Sequence, residues 1–89
     1  MNELEAPNIS FPCDYPIKVV CDTRAGLHED VYEIVLKHDP SLTTDKVSQR
    51  TSRKGNFISI SFMLRAVGQE QLEALFDDLK ELEAVRMVL

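Results

Sequence analysis

The side chains best suited to chemistry fall in two places. The first is Asp22-Thr23-Arg24-Ala25-Gly26-Leu27. An apolar run ends there, a short glycine-containing turn follows, and a helical pattern begins. Amide groups at a helix start, joined by the Arg24 guanidinium, are suited to holding a carboxylate or phosphate. Gly26 and Leu27 supply the turn and the first helical position. The plainer reading is a tight turn in which Gly26 provides a positive φ. The second place is a basic run. Lys46, Arg50, Arg53 and Lys54, four of the ten Lys and Arg residues, lie within a short span that holds no acid. Such a run suits a small anion or an acidic partner. It also suits an edge strand, where cations discourage sheet-to-sheet aggregation. Phe57 and Arg86 complete the set of candidate contact residues.

Other chemistry finds little support. Cys13 and Cys21 are too far apart for a CxxC motif, so thioredoxin-like and metal-chaperone readings fail. Cys21 ends an apolar run and reads as a small core residue, whereas Cys13, between Pro12 and Asp14, reads as more exposed. His28 falls at a helix start and His38 at a helix end. Neither has a neighbouring cysteine or carboxylate in a metal or triad spacing. No nucleophile, base and orienting group can be assembled, so we expect no enzyme, no cofactor and no metal.

Composition narrows the classes further. The chain has 89 residues, 44% hydrophobic and 28% charged, which is one small globular domain. The net charge of −5 argues against broad nucleic-acid or anionic-membrane binding. No apolar run approaches the roughly 20 residues that span a bilayer. The acidic start, Met1-Asn2-Glu3-Leu4-Glu5, lacks the basic and apolar regions of a secretory signal, and the expected location is the cytoplasm.

The elements that position these residues follow from periodicity. Asn56 to Leu64 alternates Ile58, Ile60, Phe62 and Leu64 with Phe57, Ser59, Ser61 and Met63, the pattern of a central strand. Residues 1–14, with Pro7 and Pro12, read as a mobile or partly docked tail, and residues 15–89 as a single domain. Tyr15 to Cys21 is a first strand. Leu27 to Lys37 is a first helix, with Leu27, Val31, Ile34 and Val35 on one face and Pro40 as the stop. Asp45 to Ser52 is a polar edge strand, and Arg53-Lys54-Gly55 closes a hairpin into the central strand. Gln69 to Leu82 is a second helix with an apolar stripe of Leu72, Leu75, Phe76, Leu79 and Leu82. Its start is weakly capped by Gly68. Ala84 to Leu89 is a last strand, with Val85, Met87 and Leu89 expected on the core side and Arg86 and Val88 on the other.

Strand, helix, strand, strand, helix, strand, with right-handed crossovers, is the α+β, ferredoxin-like βαββαβ arrangement. It implies a four-stranded antiparallel sheet in the order 4-1-3-2, with two helices on one face. That fold hosts many functions. An RNA-recognition motif would place K/R-G-F/Y-G/A-F-V-x-F/Y on the third strand. Here Phe57 and Ile58 fit, but Gly55 and Ile60 stand at the other two aromatic positions, so single-stranded RNA binding through Phe57 is a weak alternative. Acylphosphatases share the topology, but the turn at Arg24 and Gly26 lacks their phosphate cradle.

Asp22 to Leu27 resembles the D-x-P-G-L turn of ACT domains, amino-acid-sensing modules with this fold, although the proline is missing. That resemblance implies a small-molecule sensor acting as a homodimer through its sheet edges. A broader resemblance runs from Tyr15 onward. A proline-bounded first strand, Ser52-Arg53-Lys54-Gly55-Asn56-Phe57 leading into Ser59-Ile60, and the terminal Val85-Arg86-Met87-Val88-Leu89 are similar to the YbeD family of small bacterial proteins. The resemblance implies the same ACT-like fold and brings no catalytic residues. Family members often lie beside lipoate-attachment genes, which is context without a mechanism. The expectation is a non-enzymatic regulatory or adaptor domain, monomer or sheet-edge homodimer. It would bind a protein partner or small anionic ligand through Arg24, Gly26, Leu27, Arg50, Arg53, Lys54, Phe57 and Arg86.

Overall fold

The structure is a computed structural model and describes residues 10–89. Expectations that fall on Met1 to Ile9, including most of the proposed tail, lie outside the described residues. Strand β1 (Cys13–Asp22) is followed by helix α1 (Leu27–His38), a 3-10 turn (Thr44–Lys46) and strand β2 (Val47–Thr51). Strand β3 (Phe57–Ala66), helix α2 (Gln69–Lys80) and strand β4 (Val85–Val88) complete the chain. The sheet order is β2-β3-β1-β4, antiparallel throughout, as the sequence pattern predicts.

β1 and β3 form the spine. They pair without interruption from Cys13 opposite Ala66 to Asp22 opposite Phe57. β1 therefore begins two residues earlier than the proline-marked Tyr15, and Cys13 is a half-buried strand residue packed against the core. The paired period of two sends Ile17, Val19, Cys21, Ile58, Ile60, Phe62 and Leu64 to one face, where all are buried. α1 and α2 cover that face with Leu27, Val31, Val35, Leu72, Leu75 and Leu79. Burial of these side chains is the main stabilising contribution, at about 1.5–3 kcal/mol for each large aliphatic one.

The last strand differs from the expectation. Val20 pairs with Met87 but Cys21 pairs with Val85, so Arg86 is an extra residue in a β-bulge. The bulge changes which side chains face inward. Val85 and Val88 pack against the core, while Met87 and Leu89 are 50% and 61% exposed. Leu89 still belongs to the ladder, exchanging both backbone hydrogen bonds with Lys18 at 2.8 and 3.2 Å.

Two polar side chains join the layers. Asp39 is buried and follows α1 directly. Its carboxylate accepts from the Ser41 N–H (3.1 Å), the Ser41 hydroxyl (2.6 Å) and the Arg65 N–H (2.8 Å). Burial alone would raise this carboxyl. The Ser41 hydroxyl, the two backbone donors and the charge of Lys46 together hold it below the usual carboxylate value. Gln71 ties down the approach to α2, whose N-cap Gly68 has no side chain to offer. Its Oε1 accepts from the Val67 N–H (2.7 Å), and its Nε2 donates to the carbonyls of His38 (2.8 Å) and Arg65 (3.2 Å). His38 and Asp78 add a 2.7 Å contact between the helices.

Candidate binding surface

The two regions singled out in the sequence meet at one end of the sheet. The hairpin after β2 closes through Ser52 N–H to Phe57 carbonyl (2.8 Å) and Gly55 N–H to Ser52 carbonyl (2.9 Å). Gly55 has φ +79, the left-handed value that favours glycine. The Thr23 hydroxyl then donates to the Gly55 carbonyl (2.9 Å), and the Thr23 N–H to the Asn56 carbonyl (3.2 Å). Thr23 thus clamps the hairpin to the turn between β1 and α1.

The candidate residues separate once their partners are known. Gly26 takes φ +76 at the N-cap of α1, as the turn requires. Leu27 is buried in the core, so it can offer a ligand only its backbone. Arg24 is held to Asp30 at 2.7 Å and donates to the Ala25 carbonyl at 2.9 Å. Arg86 forms a forked pair with Asp22, Nε at 2.9 and 3.1 Å and Nη2 at 2.9 Å. That carboxylate raises the Arg86 pKa through its hydrogen bonds and its charge. Two of the expected anion-binding arginines therefore already hold a carboxylate. Arg50, Arg53 and Lys54 are exposed and, among the described residues, make no ion pair. Arg50 and Arg53 border a shallow depression with Ser52 and Ser59. Phe57 stands beside Asp22 across the β1–β3 ladder, 44% exposed, its N–H bonded to the Ser52 hydroxyl.

The cations continue across the uncovered face of the sheet. Lys18 lies opposite Ser61, and Arg50 opposite Ser59. A second depression brings Lys18 and Lys46 together with Pro16, Ser61, Met63 and Leu89. Sequence parity assigns Lys18 and Met63 to this face. Met87 and Leu89 were hidden from it by the bulge. The acidic residues concentrate on the other side, on α1 (Glu29, Asp30, Glu33) and α2 (Glu70, Glu73, Asp77, Asp78). The surface can therefore attract and orient a negatively charged ligand, and it combines that charge with exposed apolar groups.

Burial pushes the Cys21 thiol up, which makes it a poor nucleophile. Among the described residues, no group of three or more His, Cys, Asp or Glu side chains could hold a metal ion. No helix there is long and apolar enough to cross a membrane.

Comparison with known proteins places this geometry. The family model described as "Protein of unknown function (DUF493)" matches residues 6–89. The chain belongs to the DUF493 family. A UPF0250 protein of Azotobacter vinelandii is 41% identical over 88 residues, covering 98% of this chain and 96% of the relative. A UPF0250 protein of Hahella chejuensis is 40% identical over 88 residues, covering 99% and 97%. This is the YbeD-like group that the hairpin and C-terminal residues resemble. Among solved structures, protein HP0495 of H. pylori aligns with TM-score 0.74 at 17% identity, covering 98% of this chain and 91% of that one. The ACT domain from GTP pyrophosphokinase of Chlorobium tepidum aligns with TM-score 0.65 at 15% identity, covering 85% and 84%. The DUF493 chain thus shares the ferredoxin-like, ACT-like fold, and at these identities the likeness concerns the fold alone.

Proposed function

We propose that this DUF493 chain is a non-enzymatic regulatory or adaptor domain of the cytoplasm. It binds an acidic protein partner or a small anion through the hairpin end and the open face of its sheet. The observation that carries this reading is the separation of charge. In a chain of net charge −5, the exposed cations Arg50, Arg53 and Lys54 stand close in sequence at the β2–β3 hairpin, near an exposed Phe57, and among the described residues none of the three is in an ion pair. The test is charge reversal. Arg53→Glu with Lys54→Glu abolishes retention of native partners by the full-length protein, and unchanged retention of every partner sinks the assignment.

A second reading, an ACT-like small-molecule sensor working as a sheet-edge homodimer, draws support from the neighbouring ACT-domain structures. It differs in where a ligand would act. In an amide NMR titration with pooled amino acids, nucleotides and short RNA, a sensor shifts Cys21 to His28 with a small molecule. Shifts from Arg53 to Ser61 with RNA, weakened by Phe57→Ala and by salt, would instead favour single-stranded RNA binding. Silence in every pool leaves the protein-binding adaptor.

A further inference from the structure

The open sheet face has a shape as well as a charge. Along β3, the half-buried Ser59 and Ser61 lie between the larger Phe57 and Met63, which are 44% and 40% exposed. Six residues at about 3.3 Å each put these two side chains about 20 Å apart. Ser48 continues the low floor onto β2, opposite Ser61. Cations stand in the same cross-strand rows, Arg50 beside Ser59 on β2 and Lys18 beside Ser61 on β1, and Lys46 shares the depression that Lys18 and Met63 line. Among the described residues, nothing lies on this floor.

We propose that this trough is the docking site for an acidic amphipathic α-helix of a partner protein, which deepens and rests on the adaptor reading above. Three arguments select that occupant. A helix about 10–12 Å wide fits between Phe57 and Met63. The sheet's interior backbone groups already pair within the ladder, so a segment lying on the face must satisfy its own N–H and C=O groups, as a helix does and an extended peptide does not. An apolar stripe can meet Val20, Met63, Met87 and Leu89, while carboxylates beside the stripe meet Lys18, Lys46 and Arg50. The methionines add a surface that adapts to the stripe it receives.

Competing occupants fit less well. Among the described residues, Phe57 is the only aromatic side chain that strand parity places on this face, so a nucleic acid would find one stacking ring there on an acidic protein. A second copy could present its own α1, where Asp30 and Glu33 flank Ile34 and Leu36. That contact joins two different surfaces, so it would build a ring of copies or an open chain rather than a two-fold dimer.

The test is photo-crosslinking of the full-length protein in its native cell. Ser61 and, separately, Met63 are replaced by photo-reactive benzoylphenylalanine, with Glu73 on α2 as the control position and Lys54 as the hairpin probe. The expected result is adducts from Ser61 and Met63, absent from Glu73. Their cross-linked peptides belong to other proteins and carry apolar residues at three- and four-residue spacing among Asp and Glu. Lys18→Glu with Lys46→Glu lowers their yield by about tenfold or more, the scale of lost charge complementarity. Adducts to nucleic acid, to a second copy, to residues 1–9 of the same chain, or to segments without that pattern overturn the proposal. Adducts from Lys54 alone overturn helix docking and leave the adaptor reading standing. Silence at Ser61, Met63 and Lys54 overturns both.

Discussion

Asp39 joins the end of α1 to the far end of β3 through three hydrogen bonds to one buried carboxylate. Removing it leaves the half-buried Arg65 N–H without a partner. We expect Asp39→Ala to cost about 2–3 kcal/mol in urea unfolding at neutral pH, the range for hydrogen bonds to a charged group. The folded carboxyl titrates below its unfolded value. Its stabilisation is therefore complete above the unfolded pKa of about 3.9 and is lost as pH falls through the lower folded value. The stability gap between the native chain and Asp39→Asn should narrow in acid, and a gap independent of pH would remove this account. The Asp39-Pro40-Ser41 turn after α1 is a local pattern that accounts for the two Ser41 bonds, but the third partner, Arg65, lies 26 positions away and comes near only through the fold. Gln71 has a partial local signature, since a Gln three residues after a helix cap is the acceptor half of a capping box, although here it accepts from Val67, one residue before the cap. The candidate site was legible to the same extent. Residue type and strand parity identify Arg50, Arg53, Lys54 and Phe57 as exposed, but they are silent on Asp22 and Asp30, which occupy Arg86 and Arg24.

At the scale of elements, the central strand was legible because β3 obeys a strict period of two over its whole length, and a paired strand with one buried face must do so. Both helices announced themselves in the same way. β1 runs past the Tyr15 start that Pro16 suggests, because the pairing tolerates Pro16 opposite Met63 and continues to Cys13 opposite Ala66. β4 departs from the strict alternation its sequence implies, because the bulge at Arg86 adds one residue without any local signal. The correction changes the reason for a prediction rather than its direction. Deleting Met87 to Leu89 removes one core contact, at Val88, instead of two, but it also removes the Lys18–Leu89 bonds and the Val88–Val19 pairing. The β1 edge, which has no β4 partner from Cys13 to Ile17, would then be exposed as far as Val20. We expect the truncated chain to melt at least 10 °C lower, on the order of 2 kcal/mol for a domain this small, or to aggregate. Unchanged melting by circular dichroism would refute the place of β4 in the sheet.

At the scale of the whole molecule, the charge is unevenly divided, with acidic helices on one side and, on the other, a sheet face where Lys18, Arg50 and Arg65 outnumber Asp14 and Asp22. Folding and binding should therefore respond to different mutations. Arg53 and Lys54 are exposed and, among the described residues, form no ion pair, so reversing them removes no native contact of that kind. It does remove two positive charges and add two negative ones, taking the net charge from −5 to about −9. At 0.15 M salt, charges more than about 8 Å apart are largely screened, so the added self-repulsion should be small. We expect Arg53→Glu with Lys54→Glu to change unfolding free energy by no more than about 0.5 kcal/mol, as is usual for surface substitutions. The stability loss should grow as salt is lowered and repulsion between the hairpin and the acidic residues is unmasked. Urea unfolding of both proteins at two salt concentrations checks this. A loss well above 1 kcal/mol at 0.15 M salt would show that the hairpin cations support the fold itself, and a loss of partner binding in that variant could then be ascribed to unfolding instead of to the surface.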